Sequence, residues 1–339
     1  MKVASGLASG LHPTPDVAEA AVRSALQRAD LSSASHVVLL LSHQFARQPA
    51  PAILAAARAA GCLQVAGCTA SGLFTEEGWE FDQPAAAAMV FTSSAAASMD
   101  GTMPTLSFSG HGTLPYGWQT GAARAGLLEP NAAVWAHGRV STDACGEFSL
   151  PGRCLDLSRA SGLRQLGDML PATLGEAYVL RRVGGHTALD SLCRALPPEL
   201  RGQPPLHHVS VLRQGDEPPV AILAANADGS LTLAGALDTG ENIAWAIRQP
   251  LAAEQEIRGN FRAAAERGVQ PDFALMFSCI GRGPLFYGND DHDLLAFREQ
   301  FPATPLLGAY GSGQIAPLGQ GNRLFHNSAI TLLFASADV

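Results

Sequence analysis

The chain reads as an α/β protein of two lobes, each a mixed sheet covered by helices, with a mixed α+β arrangement as the alternative. Three observations predict this. Through the first hundred residues, stretches with helical periodicity alternate with short apolar runs. Residues 37–41 (Val-Val-Leu-Leu-Leu) are apolar at every position, as in a strand buried on both faces. The chain is 47% hydrophobic and only 15% charged, with 35 Gly and 22 Pro, which excludes a disordered chain or a coiled coil and suits many turns. A length of 339 residues predicts about two domains, and the return of regular patterning near Tyr178 places them at 1–174 and 175–339.

The elements follow in order. Thr14-Pro15-Asp16 starts a helix with proline at its first position, and Val17, Ala21, Val22, Ala25, Leu26 and Ala29 give it one apolar face. A second helix spans about 51–60 and stops at Gly61. Val65 leads into a turn at Gly67-Cys68-Thr69-Ala70-Ser71-Gly72, and residues 85–91 read as a strand. From Ser93 to about Pro171 the pattern weakens around one short strand at 133–137, which suggests the rest of the first lobe plus a connection. Beyond it come a strand at 178–183, a helix capped by Thr187, strands at 209–212 and 220–225, and an Asp228-Gly229 turn before 231–233. Helices at about 253–267 and 291–301 carry Ile257, Phe261, Leu294, Leu295 and Phe301 on their apolar faces. Strands at 274–277, 304–307 and 330–334 complete the second lobe.

Charge and hydropathy exclude several function classes. The net charge is −8 and Lys2 is the only lysine, so the positive footprint of a nucleic-acid binder is missing. No apolar run reaches the ~20 residues of a membrane span, and no apolar leader follows Met1. Six scattered cysteines without a Cys-x-x-Cys pair suit reduced thiols, so a cytoplasmic location is expected.

Chemistry concentrates near the C-terminus. Ser278-Cys279-Ile280-Gly281-Arg282-Gly283, Gly308-Ala309-Tyr310-Gly311-Ser312-Gly313-Gln314-Ile315 and Phe325-His326-Asn327 each adjoin a strand-like run. Glycines at that density suit close backbone approach or positive φ, and the few mixed polar residues suit a small-molecule pocket. Arg282, between two glycines, offers a planar fork for a ligand carboxylate, against the commoner reading of a surface arginine. Cys279 is either a nucleophile activated by that guanidinium or a small residue filling a tight turn. His326 could ligate a metal or haem, or bond to backbone. Residues 311–316 match the dinucleotide fingerprint G-x-G-x-x-A, but Pro317, Gly319 and Gly321 prevent the helix that fingerprint requires. No G-x-S-x-G string occurs, and Glu76-Glu77 and Asp290-Asp291 read as a solvated turn and a helix start. No catalytic or metal-ligating set is assigned.

Three strings carry a family likeness. Cys279-x-Gly281-Arg282-Gly283, the stretch Pro305-Leu306-Leu307-Gly308-Ala309-Tyr310-Gly311-Ser312-Gly313-Gln314-Ile315-Ala316-Pro317, and His326-Asn327 before the last strand resemble the C-terminal half of FIST sensory proteins. Gly67-Cys68-Thr69 with Ser71 is similar to that family's N-terminal turn, and Gln314 stands where the family usually carries Glu. The resemblance implies an intracellular sensory protein that binds a small molecule, such as an amino acid or related carboxylate. It would report to a separate signalling protein, with no nucleic acid or membrane partner. The residues it implies for binding are Gly67, Cys68, Thr69, Ser71, Cys279, Gly281, Arg282, Gly283, Gly308, Tyr310, Gly311, Gly313, Gln314, His326 and Asn327. No cofactor is expected. The alternatives are a haem-based gas sensor, as some family members are, and an enzyme using Cys279.

Overall fold

The strand Ala85–Phe91 shows how alternation builds the layers. Ala85, Ala87, Met89 and Phe91 point into one apolar core, while Ala86, Ala88 and Val90 point into another. The computed structural model describes residues 1–92, 103–175, 178–215, 217–238 and 240–336.

The N-terminal part runs β1 (Val3–Ser9), α1 (Pro15–Arg28), β2 (His36–Ser42), α2 (Ala50–Ala60), β3 (Val65–Ala70), β4 (Gly72–Thr75), β5 (Gly78–Glu80) and β6 (Ala85–Phe91). Next come β7 (Thr105–Ser109), β8 (Arg124–Leu128), β9 (Val134–Ala136), β10 (Arg139–Val140), β11 (Cys145–Phe148) and β12 (Arg153–Ala160). The middle holds β13 (Leu163–Leu174), β14 (Val179–Val183), β15 (His186–Thr187), α3 (Ala188–Ala195), β16 (Val209–Arg213), β17 (Val220–Ala225), β18 (Leu231–Leu233) and β19 (Asn242–Arg248). The chain ends with α4 (Pro250–Glu266), β20 (Phe273–Cys279), α5 (Pro284–Tyr287), α6 (His292–Gln300), β21 (Leu306–Gly311), β22 (Gly313–Leu318), β23 (Gly321–Phe325) and β24 (Ala329–Ala335).

The fold is of the mixed α/β class. Its contacts divide it into one unit of Met1–Ala160 with Ile257–Val339 and a second of Ser161–Glu256. The expected lobe boundary at 174/175 lies inside the second unit, and the C-terminal third returns to the first.

The first unit stacks four layers. Helices α1 and α2 cover one face of the sheet β1-β6-β2-β3-β9-β10, through a core containing Val22, Leu39, Ile53 and Val90. The opposite face meets the sheet β12-β24-β20-β21-β4-β5 across the largest core, where Leu40 and Met89 share apolar space with Leu275, Phe277, Leu307 and Leu332. The outer face of that second sheet is covered by α4 and α6 through Ile257, Phe261, Leu294 and Phe297. A third sheet, β11-β7-β8-β22-β23, closes one end, with β8 antiparallel to β22. In the second unit every strand pairing is antiparallel, and the β13–β14 pairing closes β13-β19-β16-β17-β18-β14 into a ring around Leu180, Leu192, Val211 and Trp245. It holds α3, whose Thr187 cap accepts from the Asp190 N–H, and the first residues of α4.

Local signals fared well where pattern and cap agree. Gly61 ends α2 in the left-handed region at φ 67°, the conformation that made glycine the expected stop. Two expectations fail. Residues 67–70 belong to β3 and Gly72 to β4, with only Ser71 between them, and the weakly patterned stretch holds β7 to β13. β7 to β11 hold five residues or fewer, down to two in β10, so little alternation can show there, while β12 and β13 are longer and mostly half-buried or exposed; residues 93–102 of that stretch lie outside the described residues. Among the described residues, no helix is long and apolar enough to cross a membrane.

Candidate functional site

A half-buried carboxylate gathers the predicted strings. Glu129 follows β8, and its Oε1 accepts from the Ser71 hydroxyl at 2.9 Å, between β3 and β4. Its Oε2 accepts from the Ser312 N–H at 2.6 Å and the Ser312 hydroxyl at 3.0 Å, between β21 and β22. Three strand junctions distant in sequence thus meet on one acid. His326, exposed, places Nδ1 2.9 Å from the Ser312 carbonyl. Beneath them Gln314 is fully buried and donates through Nε2 to the Gly311 carbonyl at 3.2 Å. That bond fixes the amide's orientation, since the reverse would set oxygen against oxygen. The Gln314 Oε1 finds no hydrogen-bond partner among the described residues.

Of the predicted residues, Ser71, Cys68, Gly311, Gln314 and His326 meet around Glu129. Cys279 ends β20 on the face that carries Leu275 and Phe277, and its thiol lies 4.0 Å from the Asn327 Oδ1. Asn327 takes φ 55°, which an Asn tolerates better than most residues. Burial, and then the charge of Glu129, pushes the Cys68 thiol well above its ordinary value. Thr69 serves the sheet instead, exchanging bonds with Ala133 through its N–H and hydroxyl. No bond from the Cys279 thiol to an imidazole is present among the described residues, and His326 directs its Nδ1 to a backbone carbonyl. The His326 carbonyl in turn accepts from the Ser328 hydroxyl at 2.9 Å. No group of three or more His, Cys, Asp or Glu converges as metal ligands among the described residues.

The glycines act by absence of Cβ rather than by positive φ. Gly308, Gly311 and Gly313 lie in β21 and β22, and none has positive φ, contrary to the expected loop geometry. A Cβ on Gly308 would sit 2.1 Å from the Phe74 ring, one on Gly311 2.8 Å from Leu127 and 3.0 Å from Glu129, and one on Gly313 2.6 Å from Leu324. Gly67 lets β3 approach β2 so closely that its Cβ would meet the Leu39 carbonyl oxygen at 1.7 Å. Because the G-x-G-x-x-A string is a strand, no helix N-terminus exists there to hold a pyrophosphate.

Arg282 departs furthest from expectation. It is 1% exposed, and its fork is engaged by an internal carboxylate: Nε donates to Asp293 Oδ2 and Nη2 to Oδ1, both at 2.8 Å. The Tyr287 hydroxyl donates to the same Oδ1 at 2.6 Å. The Arg282 N–H closes a turn onto the Cys279 carbonyl at 2.7 Å, and Gly281 is half-buried in that turn. Alongside, the Tyr310 hydroxyl donates to Asp291, whose Oδ1 caps α6 at the Leu294 N–H. Burial, then the Asp293 charge, pushes the Asp291 carboxyl up to about 6. Burial, then neighbouring carboxylates, raises the Tyr310 and Tyr287 phenols as well. Gly283 packs against this network, its Cβ position 2.9 Å from the Tyr310 ring. Arg282, Gly283 and the Tyr310 side chain therefore belong to a buried scaffold on the α6 face of the sheet, apart from Glu129.

Sequence reading missed Glu129, Ser312 as its donor, and Asp293. A lone Glu after an apolar strand carries no local signature, and its meaning comes only from the distant strands that meet it.

This arrangement defines an α/β protein with a polar site at strand junctions, and comparison with known proteins places it further. The FIST C domain model matches residues 188–317, which supports a FIST-family protein. The chain is 25% identical over 228 residues to an uncharacterized protein of Mycobacterium tuberculosis, covering 63% of this chain and 60% of the relative. It is 27% identical over 189 residues to an uncharacterized protein of Mycobacterium bovis, covering 52% and 49%. A shorter match, 42% identical over 67 residues, links it to F-box only protein 22 of Pongo abelii, covering 19% of this chain and 15% of the relative. The matches thus span about three fifths or less of these relatives' lengths.

Proposed function

We propose that the chain is a sensory protein that binds a small molecule, an amino acid or a close chemical relative, at the Glu129 site and passes occupancy to a separate signalling protein. One observation carries this reading: a half-buried carboxylate held by Ser71 and Ser312 adjoins Gly311, as does a buried amide that has an oxygen without a hydrogen-bond partner among the described residues. Buried polar atoms are nearly always satisfied, and an orphan among polar groups suits a ligand or an ordered water. The FIST C match supports the sensory class.

The test is a thermal-shift screen of the full chain against amino acids and related small molecules, followed by calorimetry on any hit. Glu129→Ala should lower affinity at least tenfold, the scale of a lost charge-assisted hydrogen bond. A hit whose affinity survives Glu129→Ala would move the site elsewhere. A screen without hits would remove the reading.

A further inference from the structure

We infer that the ligand is anchored through an amine, as an ammonium or other N–H donor, rather than through a carboxylate. This rests on the Glu129 site being the binding site.

The groups turned toward that site are acceptors. Glu129 brings a carboxylate, and its three contacts from Ser71 and Ser312 hold it in place without neutralising its charge. Gln314 brings an amide oxygen that is fully buried and lacks a donor. Its amide hangs on the Gly311 carbonyl, and the absent Cβ of Gly311 would lie 3.0 Å from Glu129 Oε2, so both acceptors adjoin the same glycine. Asn327 Oδ1 lies 4.0 Å from the thiol of Cys279, which pairs with Gly311 in the β20–β21 register. A carboxylate ligand would meet like charge at Glu129 and an acceptor at Gln314. An ammonium has three donors to spend on them.

The expected carboxylate anchor is engaged elsewhere. Arg282 holds Asp293 through two 2.8 Å bonds, on the face of the sheet turned to α6. Releasing it for a ligand would leave Asp293 buried with its charge uncompensated. The glycine at 311 acquires a definite purpose: an added Cβ would press on both Leu127 and the Glu129 carboxylate.

Matched triples of probes test this on the full chain by calorimetry. Each consists of an amino acid, the amine left when its carboxyl is removed, and the acid left when its amino group is removed. The expected result is that amines retain binding, within tenfold of the amino acid, while acids lose at least tenfold. Glu129→Gln, which keeps an acceptor for Ser71 but drops the charge, should weaken amines at least tenfold. Gln314→Leu, which removes the buried amide oxygen, should weaken amines and leave acids no weaker, a split that a merely damaged site would not show. Far-UV circular dichroism and melting temperature establish that both variants fold. If acids bind and amines do not, recognition runs through a cation such as Arg159, stacked over Phe325 at 5.0 Å, and this inference falls while the proposed function stands. If no probe binds the folded chain at millimolar concentration, both fall.

Discussion

Replacing Asp293 by Asn should destabilise the first unit far more than any surface charge change. The Arg282 and Asp293 side chains are each 1% exposed, and their two bonds are both 2.8 Å long. Asn keeps the shape but turns one oxygen into an amide NH2, which sets a donor against Nε or Nη2 of the guanidinium. The charge that compensated Arg282 is also gone, and Tyr287 loses a charged acceptor. Breaking a buried pair from one side costs about 3–5 kcal/mol. Removing the Asp293 charge also relieves Asp291, whose carboxyl it pushes upward, so the lower half of that range is expected. For a unit of this size each kcal/mol moves the melting temperature by about 2–4 °C, giving a drop of about 6–16 °C.

Urea denaturation and calorimetry at neutral pH measure the loss. Glu19→Gln, which breaks the exposed Arg23–Glu19 pair in α1, is the control and should shift stability little. A second arm separates pairing from packing. The triple replacement Arg282→Met, Tyr287→Phe, Asp293→Leu removes every partner together and should recover most of the loss, because no buried charge or hydroxyl is left alone. If Asp293→Asn changes stability no more than Glu19→Gln does, the pair is solvated. Arg282 then becomes available to a ligand, and the scaffold role assigned to it is refuted.

Two further outcomes follow from the geometry. Gly67→Ala should cost about 3 kcal/mol or more, because the new Cβ meets backbone at 1.7 Å and neither strand can move aside, whereas Gly78→Ala, with nothing within 4 Å, should leave the melting temperature unchanged. The Asp291 carboxyl, raised from 3.8 to about 6, binds its proton more tightly when folded, so its contribution is full below about pH 4 and is lost as pH rises through about 6. Asp291→Asn, which keeps an acceptor for the Leu294 N–H and turns an amide N–H toward the Tyr310 hydroxyl oxygen, should flatten the urea stability profile across that window; an unchanged slope would assign the pH dependence to other groups.

What was legible depended on how local the cause was. The buried strands β2 and β6, helix α1 with its Pro15 start, and the Gly61 stop are each dictated by a few neighbouring residues. The Thr187 cap is of the same kind. Residues 308–313 misled because glycine serves two purposes, positive φ and close approach, and only the neighbours Phe74, Leu127 and Leu324 decide between them. Arg282 read as a loop residue since Asp293, eleven positions on, looks like an ordinary first-turn acid of α6. The lobe boundary was unreadable for a related reason: nothing near residue 257 announces that the chain rejoins a unit begun at residue 1.

The two polar clusters share one thin strand, and that explains the glycines better than either cluster alone. On one side of β21 the Tyr310 ring packs between Phe74 and Phe81, at centroid distances of 4.7 and 4.4 Å, and its hydroxyl reaches Asp291. The Tyr310 carbonyl accepts from the Ser71 N–H at 3.1 Å, which places Ser71 to donate to Glu129. One residue on, the Gly311 carbonyl accepts from both the Ile280 N–H and Gln314 Nε2. The strand therefore passes bonds to the ligand-side acceptors with its backbone while its one large side chain is locked into the scaffold. Side chains at 308 and 311 would push β21 away from Phe74 on one side and Leu127 on the other. Either shift would displace the two carbonyls on which Ser71 and Gln314 depend. Small residues there hold the acceptor geometry in register with the buried ion-pair scaffold.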